Sequence, residues 1–185
     1  FMDNLKESLI KNINESELLN NPFDHKFVKN IFPQEFYVSL LKNIPKKSLY
    51  TKITDTGSVS KNYSPERYIF NFEKSKMELL DESQKKFFQV LLNTVLSKEL
   101  FSSVTAQFSS AIQDRMKNFS NREREEFGTS NFEFSVRAAL VKDFTKYSLG
   151  AHTDSIGKFV TYLFYIPEDN SLENVGTALY EPINE

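Results

Sequence analysis

Apolar residues in the first 127 positions recur every three or four residues, which is the spacing of an amphipathic helix. One predicted helix carries on a single face Leu5, Leu9, Ile10 and Ile13. A second is predicted to begin near Pro33, since proline is favoured in the first helical turn, and to stop at Pro45. Two more are predicted between Met77 and Phe119, with a break in the range Ser97–Ser103. Residues 1–127 are therefore predicted to be mainly helical.

Two stretches of this region lack a sustained apolar face. Residues 46–72 are polar and rich in Ser and Thr, and they are predicted to be loop with a short strand at Arg67–Phe70. The charged run Asn121–Glu126 is predicted to be a solvated connection or a helix end.

Beyond Gly128 the apolar spacing becomes two, which is the period of a strand with one buried face. The first predicted strand, Phe132–Leu140, places Arg137 on its polar side. A second, Lys158–Ile166, is rich in β-branched and aromatic residues, and a third short strand is predicted at Thr177–Tyr180. Helices followed by strands predict an α+β fold.

The length of 185 residues suits a single domain, residues 1–185, and the hydrophobic content of 39% is enough for one core. Within it, residues 1–127 form the helical region and residues 128–185 the strand region. The formal net charge is −2, so the chain as a whole has no basic excess to neutralise a nucleic-acid backbone, and no nucleic-acid partner is expected.

The chain has no Cys, which excludes disulfides, Cys-ligated zinc and thiol catalysis. We expect no membrane-spanning helix, because no run of about 18 apolar residues occurs. The N-terminal residues lack the basic start and apolar run of a signal peptide, so a cytoplasmic location is expected. The oligomeric state is left open.

Two histidines occur, His25 and His152. In an extended segment, residues two apart point to the same side, so the His152 imidazole and the Asp154 carboxylate can reach one metal ion. The spacing alone is weak, because a capped turn or an ordinary surface pair gives the same triplet. His25 lies at a loop-to-helix junction, where a structural or surface role is expected.

The residues that flank His152 are more informative. The string Phe144–Ser155 is followed by Lys158–Pro167 and then by Gly176–Tyr180. Together they resemble the first half of the catalytic core of Fe(II)/2-oxoglutarate-dependent oxygenases, in the branch of prolyl hydroxylase-like and related bacterial enzymes. Asn21–Val28 also resembles the entry segment of that family. The resemblance implies a double-stranded β-helix, or jelly roll, with N-terminal helices packed against it.

The resemblance further implies a metal site for Fe(II) and 2-oxoglutarate as co-substrate. It makes His152 and Asp154 two metal ligands of a two-His, one-carboxylate triad. Tyr165 matches the position that supplies a hydroxyl to the far carboxylate of 2-oxoglutarate. Thr161 shares its strand face, and Tyr147 is a candidate to line the same pocket, although an aromatic residue there is equally often core.

Two further residues are candidate substrate contacts. Lys158 lies close to the mouth of the implied barrel, where a solvated strand end is at least as common. Arg137 is the weakest candidate, because a single arginine in a strand is usually exposed or paired with an acid. A small molecule or a protein side chain is the expected substrate class.

The family pattern also needs a second His and, farther along, an Arg or Lys, and no His follows His152 in this chain. We expect the chain to be a fragment; a truncated relative, or completion by another chain or by His25, are the alternatives. Alone it is predicted to be poorly active or inactive.

Three functions therefore compete. A hydroxylase-type oxygenase is the first, and a non-catalytic jelly-roll module for binding or assembly, with a vestigial metal site, is the second. The third is a helical interaction protein built on residues 1–120, and its only support is the amphipathic pattern of that region.

Overall fold

The computed structural model describes residues 4–59, 63, 66–127, 134–144, 147, 149–155, 157–172 and 174–181. These residues form helices and one three-stranded antiparallel sheet, so the predicted α+β class is confirmed. The seven helices among them are α1 (Leu5–Glu15), α2 (Gln34–Asn43), α3 (Lys74–Met77), α4 (Glu82–Val95), α5 (Lys98–Gln107), α6 (Ser109–Lys117) and α7 (Asn121–Phe127). The strands are β1 (Thr51–Lys52), β2 (Arg67–Asn71) and β3 (Ala139–Asp143). None of the described helices has the length and apolar character needed to cross a membrane.

The chain divides into two compact units. The first takes its described residues from Phe1–Gln34, Lys98–Ser135 and Thr153–Glu185. The second takes them from Glu35–Ser97 and Val136–His152. Helices α1 and α5 to α7 belong to the first unit, and α3, α4 and the whole sheet belong to the second.

In the first unit, α1 packs against α5. The face predicted for α1 points inward, with Leu5 and Leu9 buried, and Leu100 and Val104 of α5 are buried as well. Polar contacts along the edge of this pair hold it in register. Lys6 forms an ion pair with Glu99 at 2.9 Å. The contact of two apolar stripes is what gives this helix pair its stability, since isolated helices of this length are marginal in water.

Helix α4 begins where Asp81 caps it. The Asp81 side chain accepts a hydrogen bond from the Gln84 backbone N–H at 2.8 Å, and Gln84 Oε1 accepts one from the Asp81 backbone N–H at 3.4 Å. This reciprocal cap satisfies two backbone donors that a helix start otherwise leaves unpaired. The predicted helix start at Met77 was therefore too early, because residues up to Met77 form the separate short helix α3.

The break after α4 lies at Leu96 and Ser97, at the edge of the predicted range. A further break at Phe108 separates α5 from α6, and it was not predicted because the apolar spacing continues through it. Residues Asn121–Phe127 form helix α7 rather than only a connection. The Glu123 side chain accepts from the Ser120 backbone N–H at 2.9 Å, and Ser120 Oγ accepts from the Glu123 N–H at 3.3 Å.

In the second unit, β2 is the central strand, paired with β1 on one side and β3 on the other. The predicted strand at Arg67–Phe70 is confirmed as part of β2. The strand predicted at Phe132–Leu140 is displaced, because β3 begins where Ala139 pairs with Asn71 and ends where Asp143 pairs with Arg67. Its predicted start at Phe132 lies outside the described residues.

Two other predicted strands were wrong. The described residues of Lys158–Ile166 and Thr177–Tyr180 form no strand ladder. From Thr161 to Ile166 the exposure of the side chains still alternates with period two, as the sequence indicated. A strand requires backbone hydrogen bonds to a neighbour, and among the described residues none pairs with these segments.

Candidate functional site

In the first unit, the Asp154 carboxylate is the centre of a small polar cluster. Its Oδ1 accepts a hydrogen bond from Lys158 Nζ at 2.9 Å, and its Oδ2 accepts one from Thr161 Oγ1 at 3.1 Å. The Lys158 backbone N–H also donates to Ser155 O at 2.9 Å, which closes a turn between the two charged residues. The three predicted site residues Asp154, Lys158 and Thr161 are thus brought together, but their side chains are hydrogen-bonded to one another. A metal ion at Asp154 would compete with the Lys158 ammonium.

In the second unit, His152 is exposed and its ring orientation is set by a backbone contact. Its Nδ1 lies 2.9 Å from the Gly150 carbonyl oxygen. A carbonyl oxygen only accepts, so Nδ1 is the donor, and in the neutral imidazole Nε2 then keeps its lone pair. Metal-binding histidines commonly have one ring N–H held in this way while the other nitrogen binds the metal.

His25, in the first unit, makes the same kind of contact. Its Nδ1 lies 2.7 Å from the Phe23 carbonyl oxygen, and its backbone pairs with Leu19 in an isolated bridge. The contact with a carbonyl therefore does not distinguish the two histidines, and it makes His25 a matched control for His152.

Tyr165 lies on the exposed side of its segment, 53% exposed, and its hydroxyl is hydrogen-bonded to Thr177 Oγ1. This side-chain contact joins the two segments predicted as strands, Lys158–Ile166 and Thr177–Tyr180. The hydroxyls of Tyr165 and Thr161 are both bonded within the chain, so any co-substrate carboxylate would have to exchange with these bonds.

Tyr147 is placed in a separate cluster of the second unit. Its hydroxyl lies 2.9 Å from that of Tyr63, and the Arg67 guanidinium lies over its ring at 4.1 Å. Arg67 in turn donates two hydrogen bonds to Asp143, from Nε at 2.7 Å and from Nη2 at 2.6 Å. Burial, and then the bond to Tyr63, raise the pKa of Tyr147 well above its ordinary value, so the phenol is protonated at neutral pH.

Arg137 is exposed and makes no hydrogen bond or ion pair with any residue that the structure describes. Within the described ranges, no group of three or more His, Asp or Glu side chains is arranged to hold a metal ion. The third ligand that the sequence resemblance requires is therefore not supplied by the described part of the chain.

The ion pair between Arg67 and Asp143 was not predicted from the sequence. The two residues are 76 positions apart and become partners only through the register of β2 and β3. Single residues in a polar stretch carry no signal of such a pairing. Burial by itself lowers the pKa of Arg67, and the hydrogen bonds and charge of Asp143 more than offset this, so the pKa is raised on balance.

We expect Asp143→Asn to lower the free energy of unfolding by about 1–2 kcal/mol, because a two-bonded, half-buried arginine loses its counter-charge. Urea denaturation followed by circular dichroism measures this. Asp114→Asn is the matched control, since Asp114 pairs with Lys117 at 3.4 Å and both side chains are mostly exposed. The control should change stability by less than about 0.5 kcal/mol; equal losses would contradict the assignment.

Comparison of the chain with protein-family models, with curated proteins and with solved structures yields no match.

Proposed function

We propose that this chain contributes His152 and Asp154 as two ligands of a non-haem Fe(II) site in a 2-oxoglutarate-dependent oxygenase of the hydroxylase type. The observation that carries the proposal is the sequence pattern around His152 and Asp154, and the contact of His152 Nδ1 with Gly150 O, which His25 also makes with Phe23 O, is compatible with it. The pairing with Asp154 rests on the spacing of two residues in the chain and on the resemblance of the flanking segments.

The donor types fit the metal. A neutral imidazole nitrogen and a carboxylate oxygen are the ligands of the two-His, one-carboxylate class, which leaves coordination positions for other groups. When bound, Fe(II) with 2-oxoglutarate supplies the activation of O₂ and the oxidation of a C–H bond in the substrate. The task of the chain is to present the two donors in the correct protonation state.

A metal ion that binds Asp154 must first break the ion pair between Asp154 and Lys158. Lys158 neutralises the Asp154 carboxylate at 2.9 Å, and both side chains are about half exposed. An exposed pair of this kind contributes at most about 1 kcal/mol, so a divalent ion can displace the lysine. Once released, the Lys158 ammonium is free to contact an anionic group of the co-substrate or the substrate.

The proposed fold of the catalytic core is a double-stranded β-helix. Its support is the alternation of exposure from Thr161 to Ile166 and the side-chain contact of Tyr165 with Thr177, which links two segments predicted as strands. In this proposal Tyr165 and Thr161 offer hydroxyls to 2-oxoglutarate, and Tyr147 stays in its own cluster.

An anaerobic Fe(II) titration, with and without 2-oxoglutarate, tests the proposal. The expected result is the weak visible charge-transfer band of an iron–2-oxoglutarate complex, with its amplitude following the added metal. His152→Ala should weaken Fe(II) binding at least about tenfold, because loss of even a partner of a ligand costs that much. His25→Ala, which removes a histidine with the same carbonyl contact, should leave the titration unchanged.

Lys158→Ala tests Asp154 separately. Removal of the competing ammonium should strengthen Fe(II) binding by up to about fivefold, which is the value of an exposed ion pair. Lys117→Ala, which removes the lysine of the Asp114 pair, is the control and should have no effect. Weaker Fe(II) binding in Lys158→Ala would remove Asp154 as a ligand, and an unchanged band in His152→Ala would remove His152.

A non-catalytic binding or assembly module is the second candidate. It is favoured by the Asp154 cluster, in which Lys158 and Thr161 already occupy both carboxylate oxygens. For this function, wild-type protein should show no charge-transfer band; succinate formation does not separate the two functions, because this chain alone is predicted to be poorly active or inactive.

A further inference from the structure

The formal charge of the chain is divided unequally between its two units. The ranges Glu35–Ser97 and Val136–His152, which make up the second unit, contain 13 Lys and Arg against 8 Asp and Glu. That unit therefore has a formal net charge of +5, within a chain whose total is −2. Such an asymmetry indicates an anionic partner for the basic part, which the charge of the whole chain conceals.

Part of this excess is concentrated at one end of the sheet. Lys52 of β1 and Lys142 of β3 are both direct cross-strand partners of Tyr68 on β2. Directly opposed residues of neighbouring strands lie on the same face, so the three side chains form one row. With strands about 4.8 Å apart, the two lysine Cα atoms are about 10 Å from each other.

A third lysine lies over the middle of this row. Lys47 Nζ is 4.7 Å from the centre of the Tyr68 ring and 3.9 Å from that of Phe144. Lys52 Nζ also lies over the Tyr68 ring, at 5.9 Å. The rings fix the positions of the ammonium groups, because a cation is attracted to an aromatic face and loses little freedom there.

No acid balances these charges. None of the three lysines forms an ion pair with a carboxylate in the part of the chain that the structure describes. Lys142 Nζ lies 5.1 Å from the centre of the Tyr50 ring and donates a long hydrogen bond to the Pro45 carbonyl oxygen, at 3.4 Å. The nearby carboxylate of Asp143 faces the other side of the sheet and is held by Arg67. Three like charges thus lie on one face of the sheet, and none has a carboxylate partner among the described residues.

We propose that Lys47, Lys52 and Lys142, on the face of the sheet that carries Tyr68, form a binding site for a small phosphate-bearing molecule. Three ammonium groups match the charge of about −3 that a diphosphate carries at neutral pH. Lysines act as compact point charges and suit phosphate, whereas planar recognition of a carboxylate favours arginine. The cluster is compact rather than a stripe, so it fits a small ligand better than a nucleic-acid backbone. The site does not depend on the proposed iron chemistry.

Titration of the 185-residue chain with inorganic pyrophosphate, at constant ionic strength, tests this site by ¹H–¹⁵N NMR. We expect saturable shifts centred on the amides of Tyr68, Lys142 and Phe144. Lys47→Gln and Lys142→Gln should each weaken binding about fivefold, as expected for loss of one charge-assisted contact at a half-exposed site. Lys86→Gln, which removes an exposed lysine on α4 of the same unit, should change the affinity less than twofold.

Each remaining outcome overturns the proposal. Shifts that do not saturate, or equal weakening by Lys86→Gln, would mean that pyrophosphate is held only by diffuse charge. Equal affinity for 2-oxoglutarate, titrated without metal, would overturn the assignment to phosphate. Binding of a single-stranded oligonucleotide without binding of pyrophosphate would replace the small ligand with nucleic acid. The amide spectrum of each variant shows directly that it is folded.

Discussion

Phe88→Ala is expected to lower the free energy of unfolding by about 3–5 kcal/mol, the cost of removing a fully buried aromatic ring from a core. Phe88 of α4 has no exposed surface. Its ring lies 5.2 Å from that of Phe72 and 5.6 Å from that of Phe87. Phe72 also meets Phe70 of β2 at 5.6 Å, so the cluster connects the helix to the central strand of the sheet.

Urea denaturation measured by far-ultraviolet circular dichroism gives the loss for Phe88→Ala. Leu79→Ala is the control in the same unit, because Leu79 is 58% exposed and its truncation should change stability by no more than about 0.5 kcal/mol. Similar values for the two variants would show that the aromatic cluster is not the core of this unit. Because β2 carries Tyr68, the Phe88 variant should also weaken pyrophosphate binding.

Leu9→Ala is expected to cost about 2–5 kcal/mol in the first unit, from lost burial together with the cavity left behind. Leu9 of α1 has no exposed surface, and it lies on the helix face that packs against α5, where Leu100 is equally buried. The polar bonds at the edge of this helix pair, such as Lys6 to Glu99, are exposed and cannot replace the lost apolar contact.

Leu18→Ala is the matched control for Leu9→Ala, since it makes the same chemical change at a residue that is 38% exposed. It should lower the free energy of unfolding by less than about 1 kcal/mol. Both variants are compared by the urea concentration at the midpoint of unfolding. A midpoint for Leu9→Ala equal to that of Leu18→Ala would contradict the packing of α1 on α5.

The Asp154 cluster and the proposed phosphate site differ in what brings their residues together. Asp154 and its partners Lys158 and Thr161 lie within eight consecutive residues, so local chain geometry brings them together. The lysines on the Tyr68 face come from separate strands and a short 3-10 helix, so their proximity depends on strand pairing and on the core, whose buried Phe70 shares that face. Core mutations should therefore affect the phosphate site more than the local contacts of Asp154.

Some features of this protein followed from the sequence alone. The inward face of α1, the beginning and end of α2 and the strand at Arg67–Phe70 were predicted, because apolar spacing and proline act over a few neighbouring residues. The alternation along Thr161–Ile166 was likewise visible in the residue types. His152 and Asp154 were chosen from their spacing and from flanking segments, and their role as ligands remains a prediction.

Tertiary structure alone decided the rest. The ends of β3, the pairing of Arg67 with Asp143 and the row of lysines beside Tyr68 depend on which strands lie side by side and in which register. The same requirement explains why Lys158–Ile166 has the pattern of a strand without forming one. A period of two tells which side chains share a face, but only a paired neighbour supplies the backbone hydrogen bonds that make the strand.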